Sequence, residues 1–201
     1  MGVYSPLKTS NNKKLMFNEF FSIIVRSLKL DNNLYKEKKN FRDSAIYFSI
    51  SIVILTIIIQ IIPNNVYISW LSELGLWQNQ NIKFRHLLFS GLFFWILKSL
   101  YFYIVGKFIF PNTKIKFSFL KVLTAIGYSH APLIFNFLAF KSDFLFLLFL
   151  TYIWYIASQT IAINELFDYK NKFKSCLIIT APLWLPIIMS FIIIFIFLLA
   201  K

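Results

Sequence analysis

Residues 45–62 read AIYFSISIVILTIIIQII, an uncharged run closed by Pro63-Asn64-Asn65. A helix needs roughly 17–25 apolar residues to cross the hydrocarbon of a bilayer, so this run is long enough to span. Four further apolar runs follow, over residues 87–109, 119–140, 144–163 and 176–199. The second is stopped by Pro111-Asn112, and the third carries Gly127, His130 and Pro132. The expected fold class is therefore an all-α membrane protein, a five-transmembrane-helix bundle. Its membrane domain covers 45–200, preceded by a cytoplasmic N-terminal segment, 1–44. The linkers between spans are short, so any function must sit within the bundle or on its rims.

Composition points the same way. Of the 201 residues, 58% are hydrophobic, 20% aromatic and only 14% charged, with a mean hydropathy of +0.67. A soluble domain is about 45–50% apolar and about 25% charged, which places this chain outside that class. The single cysteine, Cys176, excludes an intrachain disulfide framework and a cysteine-rich zinc site. The net charge of +13 would suggest nucleic acid in a soluble protein. Here the lysines cluster between apolar runs, so the expected partner is the lipid bilayer and no nucleic acid is expected.

The same clusters orient the chain. With the N-terminus cytoplasmic, the inner segments hold sixteen Lys and Arg, and the outer segments hold four (Lys83, Arg85, Lys141 and Lys201). That asymmetry follows the positive-inside rule and favours an odd number of spans, which puts the C-terminus outside. The expected location is a bacterial-type inner (or thylakoid) membrane. Residues 13–30 are too charged to span. Phe17, Phe20, Phe21, Ile24 and Leu28 form an apolar stripe at helical spacing, opposite Asn18, Glu19, Ser22, Arg26 and Lys29. The pattern predicts an N-terminal amphipathic helix lying in the inner-leaflet interface, or capping the bundle's cytoplasmic end. A further pattern, Tyr67, Trp70, Leu71, Leu74 and Trp77, suits interface depth on the outer side.

Candidate chemistry is sparse. All eight carboxylates lie outside the five expected spans, which counts against a proton- or cation-coupled transporter. The chain has no HExxH, no G-x-S-x-G elbow and no pair of membrane carboxylates. No catalytic, cofactor-binding or metal-binding residue is assigned, and the expectation is a protein that is not an enzyme. Lys98 is the one charge near the middle of a span. Burying an ammonium there costs at least about 2.5 kcal/mol, so it needs a hydroxyl partner such as Tyr101 or Tyr128, Asn136, a backbone carbonyl, or an anionic headgroup. The third run holds Gly127-Tyr128-Ser129-His130-Ala131-Pro132. Gly127 and Ala131 form a small-xxx-small pair that lets another helix approach. Pro132 removes a backbone donor and frees a carbonyl in the preceding turn, which Ser129 or Tyr128 would satisfy. A lone His130 beside such a kink reads first as structural, although a histidine can titrate near neutral pH.

The run GYSHAP resembles the Gly-Tyr-Ser-x-x-Pro pattern of the Yip family, the Ypt/Rab-interacting membrane proteins, over roughly Phe17 to Leu199. That resemblance implies a cytoplasmic N-terminal segment followed by five spans. It makes Gly127, Tyr128, Ser129 and Pro132 motif positions of structural character, and it brings no catalytic residues. The region LDNNLYKEKKNFRDS lacks the Asp-Leu-Tyr-Gly-Pro motif of the eukaryotic branch. This departure weakens the carry-over of Rab-type GTPase binding and favours a prokaryotic-type member. The expected function is to organise membranes or recruit partners, either another membrane protein or a second copy of the chain. The alternative is a small-solute or lipid permeation protein, its path lined by Lys98, Tyr101, His130, Asn136 and Gln159.

Overall fold

Where the structure describes them, the apolar runs are helical, because a helix satisfies its own backbone hydrogen bonds where side chains offer few. The computed structural model describes residues 7–41, 44–73, 84–109, 118–140, 145–169 and 171–182, without the side chains of 7–14, 38, 39, 61–73, 84, 139, 140 and 145. Among the described residues every regular element is helical. The chain runs α1 (Leu7–Leu28), α2 (Asn33–Lys36), a 3₁₀ turn (Lys38–Phe41), α3 (Ala45–Glu73) and α4 (Phe84–Ile104). A π-helical segment (Val105–Ile109) prolongs α4. Then come α5 (Phe119–Tyr128), a 3₁₀ stretch (Ala131–Phe140), α6 (Leu145–Phe167) and α7, helical over 172–182.

Among the described residues two helices are long and apolar enough to cross a membrane, Arg85–Ile109 and Phe146–Phe167. They correspond to the expected second and fourth spans. The other three expected spans differ. In α3 the described apolar stretch is Ala45–Gln60, and the helical backbone runs on through Pro63 to Glu73 where the sequence predicts a stop. Proline ends a helix only where the lost bond and ring clash outweigh the remaining ladder, and here the ladder continues. The third run keeps its bounds but breaks in the middle, ten α-helical residues giving way to ten of 3₁₀. The fifth is helical as far as residue 182, and the rest of it, with Pro186, lies outside the described residues. So do Leu74 and Trp77, and the side chains of Tyr67, Trp70 and Leu71.

α1 begins earlier than expected and divides its apolar surface between two environments. Ile23 and Ser27 are buried, with Phe20, Ile24 and Leu28 packed at their edge. Phe17, Phe21 and Val25, one helical stripe further round, are exposed. The helix ends in a Schellman arrangement, with Leu30 at φ 55° and Asp31 N–H bonded to the Arg26 carbonyl at 3.0 Å. Arg26, expected on a free basic face, instead bonds Asp31 at 2.7 Å and Glu37 at 3.2 Å. Burial opposes the Arg26 charge, yet its hydrogen bonds to Asp31 and Glu37 hold the pKa above the ordinary value. Lys36 reaches Glu165 at the far end of α6, at 2.9 Å. Tyr103 meets Phe119, Lys121 lies over Phe41, and Gly106 lies against the Phe167 ring. The ends of α4 and α6 and the start of α5 therefore gather around α2 and the entry to α3.

Polarity is distributed inside out. Ser27, Ser49, Thr56, Ser99, Thr124, Ser129, Asn136, Thr151, Ser158 and Gln159 are buried. Phe89, Phe93, Phe94, Leu97, Phe146, Phe149 and Ile153 are exposed along α4 and α6. A soluble monomer seldom exposes an apolar patch larger than a few hundred Å2, and two flanks of this bundle are apolar along their length.

Candidate functional site

The GYSHAP run is the junction where α5 gives way to the 3₁₀ stretch. Pro132 has no N–H to offer the carbonyl of Tyr128, four residues back. The hydroxyl of Ser27 in α1 donates to that carbonyl at 2.7 Å, the role expected of Ser129 or Tyr128. Ser129 Oγ instead donates to the Ile126 carbonyl at 2.6 Å. His130 Nδ1 meets the same oxygen at 2.7 Å. The two side chains replace the α-helical bond lost when the His130 N–H turns to the Gly127 carbonyl. A Cβ on Gly127 would collide with the Ser49 side chain, so the glycine sets the close contact of α5 with α3. Ser49 Oγ also donates to the Leu123 carbonyl at 3.4 Å.

Around this junction the N-terminal segment is fastened by buried polar groups. The Tyr128 hydroxyl donates to the carbonyls of Asn40 at 3.0 Å and Ala45 at 3.3 Å. Ser27, Tyr35 and Ser158 hydroxyls form a triangle with sides of 3.3–3.4 Å. Trp154 Nε1 donates to the Leu28 carbonyl at 3.0 Å and closes the end of α1. Gly127, Tyr128 and Pro132 thus tie α5 to α1 and α3, while Ser129 bonds within its own turn.

Lys98 and His130 meet on the other side of the junction. Lys98 Nζ donates to the Tyr155 hydroxyl at 3.1 Å and lies 4.7 Å from that ring's centroid. Tyr155 is 2.9 Å from His130 Nε2. A carbonyl only accepts, so Nδ1 carries the proton donated to Ile126. The neutral ring then accepts at Nε2 from Tyr155, whose oxygen accepts from Lys98. The partner of Lys98 is therefore Tyr155, not Tyr101, Tyr128 or Asn136. These side chains line one cavity of about 320 Å3, together with Trp95, Thr56 and Gln60. Trp95 is 5% exposed and its indole N–H has no acceptor among the described residues.

Comparison with protein-family models, curated proteins and solved structures finds no match to this chain. The remaining polar candidates lie apart from the cavity. Tyr101 donates to the Ile178 carbonyl at 3.1 Å, joining α4 to α7. Asn136 pairs with Thr151. Gln159, one turn beyond Tyr155, is buried, and its amide has no partner among the described residues. Among the described residues no cluster of His, Cys, Asp and Glu could hold a metal ion.

Sequence reasoning missed Tyr155, Trp95, Ser27 and Tyr35. A signal for two of these was present: Thr151, Tyr155, Ser158 and Ala162 recur at helical spacing in α6, and all are buried. Trp95, Ser99 and Phe102 mark the matching inner face of α4. Ser27 and Tyr35 carried no such signal, since their partners come from remote elements.

Proposed function

We propose that this chain is a multi-span membrane protein of the Yip-like, prokaryotic type. It organises membranes or recruits partners without catalysing a reaction. The observation that carries this reading is the inverted polarity, with buried hydroxyls and amides inside and aromatic and aliphatic flanks outside. In water those flanks would each cost about 25 cal/mol per Å2 left exposed, a cost that hydrocarbon surroundings remove. Five spans follow if the broken third run crosses as a helix plus a 3₁₀ stretch and if α3 and the last run also cross. Ten residues of each helix type together reach about 35 Å, against a hydrocarbon core of about 30 Å.

Lys36, Lys107, Lys121, Lys172 and Lys174 belong to the segments that meet around α2. Their grouping supports a cytoplasmic N-terminus under the positive-inside rule. The exposed Phe17, Phe21 and Val25 stripe on α1 supports contact with the inner-leaflet interface. Alkaline carbonate extraction of membranes containing the full chain tests the reading. Retention in the pellet is expected, and release into the supernatant would overturn it. Affinity capture in mild detergent tests recruitment, with a specific membrane-protein partner or a second copy of the chain as the expected product.

Permeation of a small solute or lipid is the second reading. The convergence of Lys98 and His130 on one cavity favours it. Tyr101, Asn136 and Gln159 engage other parts of the bundle, so a continuous polar path is not assembled from these five residues.

A further inference from the structure

We propose that the cavity beside Lys98 is a binding site for an amphiphilic monoanion, an oxyanion headgroup carrying an acyl chain. The head is held by the Lys98 ammonium and the Trp95 indole N–H. The inference deepens the membrane reading and rests on it for the direction of entry.

The direction of the proton donors decides the sign of the ligand. In the series Lys98, Tyr155, His130, Ile126, each group donates to the next and the series ends on a carbonyl. Lys98 heads it, and of the three N–H bonds of an ammonium only one is directed to Tyr155. Trp95 lies three residues earlier on the same face of α4, lines the same cavity, and also can only donate. Among the described residues no carboxylate lines the cavity, and Lys98 forms none of the ion pairs. Lys98, donor-only and charged, thus lines a space whose complement is an acceptor of single negative charge, and the Trp95 indole N–H, sealed in its wall, is a second donor without an acceptor among the described residues.

The walls decide the rest of the ligand. Val53, Ile57 and Leu133 give the cavity an apolar interior, and Gly91 keeps α4 close to Ile57. Phe94 and Tyr152, also in the lining, are 65% and 49% exposed and stand at the outer surface. On the membrane reading that surface is hydrocarbon, so the ligand arrives from the acyl-chain region with its tail against these rings. A carboxylate of a free fatty acid and a phosphodiester of an anionic phospholipid share this chemistry.

The test is equilibrium binding of radiolabelled palmitate to the full chain in nonionic detergent. Binding at one site per chain is expected, competed by unlabelled palmitate and not by hexadecanol, which has the tail without the charge. Competition by phosphatidylglycerol as strong as that by palmitate would assign the ligand to membrane phospholipid. Its failure to compete would assign it to free fatty acid. Lys98→Met should weaken binding by at least about tenfold and Trp95→Phe by about fivefold, whereas Lys98→Arg should retain it. Non-saturable binding, or equal competition by hexadecanol, would overturn the proposal. So would wild-type affinity in Trp95→Phe, the variant that leaves the Lys98 pairing intact if Lys98→Met does not fold. Carbonate extraction reads the membrane assignment separately, because binding in micelles requires no bilayer.

Discussion

The Ser27 hydroxyl donates to the Tyr128 carbonyl at 2.7 Å, across 101 positions of sequence. That carbonyl is available because Pro132 offers it no N–H, so the kink in one element supplies the attachment point for another. Ser27→Ala should leave a buried carbonyl unpaired and destabilise the protein by about 1–3 kcal/mol. In the Pro132→Ala background, a restored N–H can serve the same oxygen, and the cost of Ser27→Ala should shrink. A double-mutant cycle of thermal unfolding in detergent measures the coupling, and strict additivity would contradict the link.

Gly127 fixes the separation of α3 and α5. Gly127→Ala places a methyl group against Ser49, whose Cβ would lie 2.9 Å from it. Overpacking of this kind costs about 1–3 kcal/mol. Ser49→Gly should recover much of that loss when combined with Gly127→Ala, as read by unfolding midpoints. A wild-type midpoint for Gly127→Ala alone would show that the contact is looser than described.

Tyr128→Phe deletes the bonds to the Asn40 and Ala45 carbonyls while keeping the ring. The two carbonyls share the phenol's single proton, so the expected loss is about 1 kcal/mol in all, confined to the segment that joins α1 to α3. Limited proteolysis should then cut faster between residues 30 and 45, with the fragments after residue 84 unchanged.

The turn after α1 should loosen in acid. The hydrogen bond from Arg26 holds the Asp31 carboxyl below its ordinary value of 3.8, and the Asn33 N–H acts in the same direction. A depressed folded pKa contributes stability that is complete above the unfolded value and is lost as pH falls through the folded one. The protection of amides over residues 28–41, corrected for the intrinsic exchange rate, should therefore fall as the pH drops from about 5 through the folded pKa, and Asp31→Asn should show low protection throughout. The side chain is 31% exposed, so the effect stays local.

Much of this architecture is legible in the sequence. The second and fourth apolar runs became continuous helices close to their expected bounds, because strongly apolar stretches of that length have few other ways to satisfy their backbone. The break at Gly127–Pro132 followed from a missing N–H, a local property. What the sequence hid are convergences between distant elements: Ser27 with Tyr128 and Ser158, Lys98 with Tyr155, Lys36 with Glu165. Helical periodicity names an inner face and not the residue it will meet. Arg26 shows the same limit, since its place on a polar stripe was readable and its pairing with Asp31 and Glu37 depended on the turn that brings them back.

The central claim is a chain that crosses the membrane an odd number of times with its basic end in the cytoplasm. Single cysteines at positions 8 and 201, in a Cys176→Ala background, can be labelled with a membrane-impermeant thiol reagent in intact cells and in inverted vesicles. The account predicts labelling at 201 only from outside and at 8 only in inverted vesicles. Labelling of both positions from the same side would contradict it.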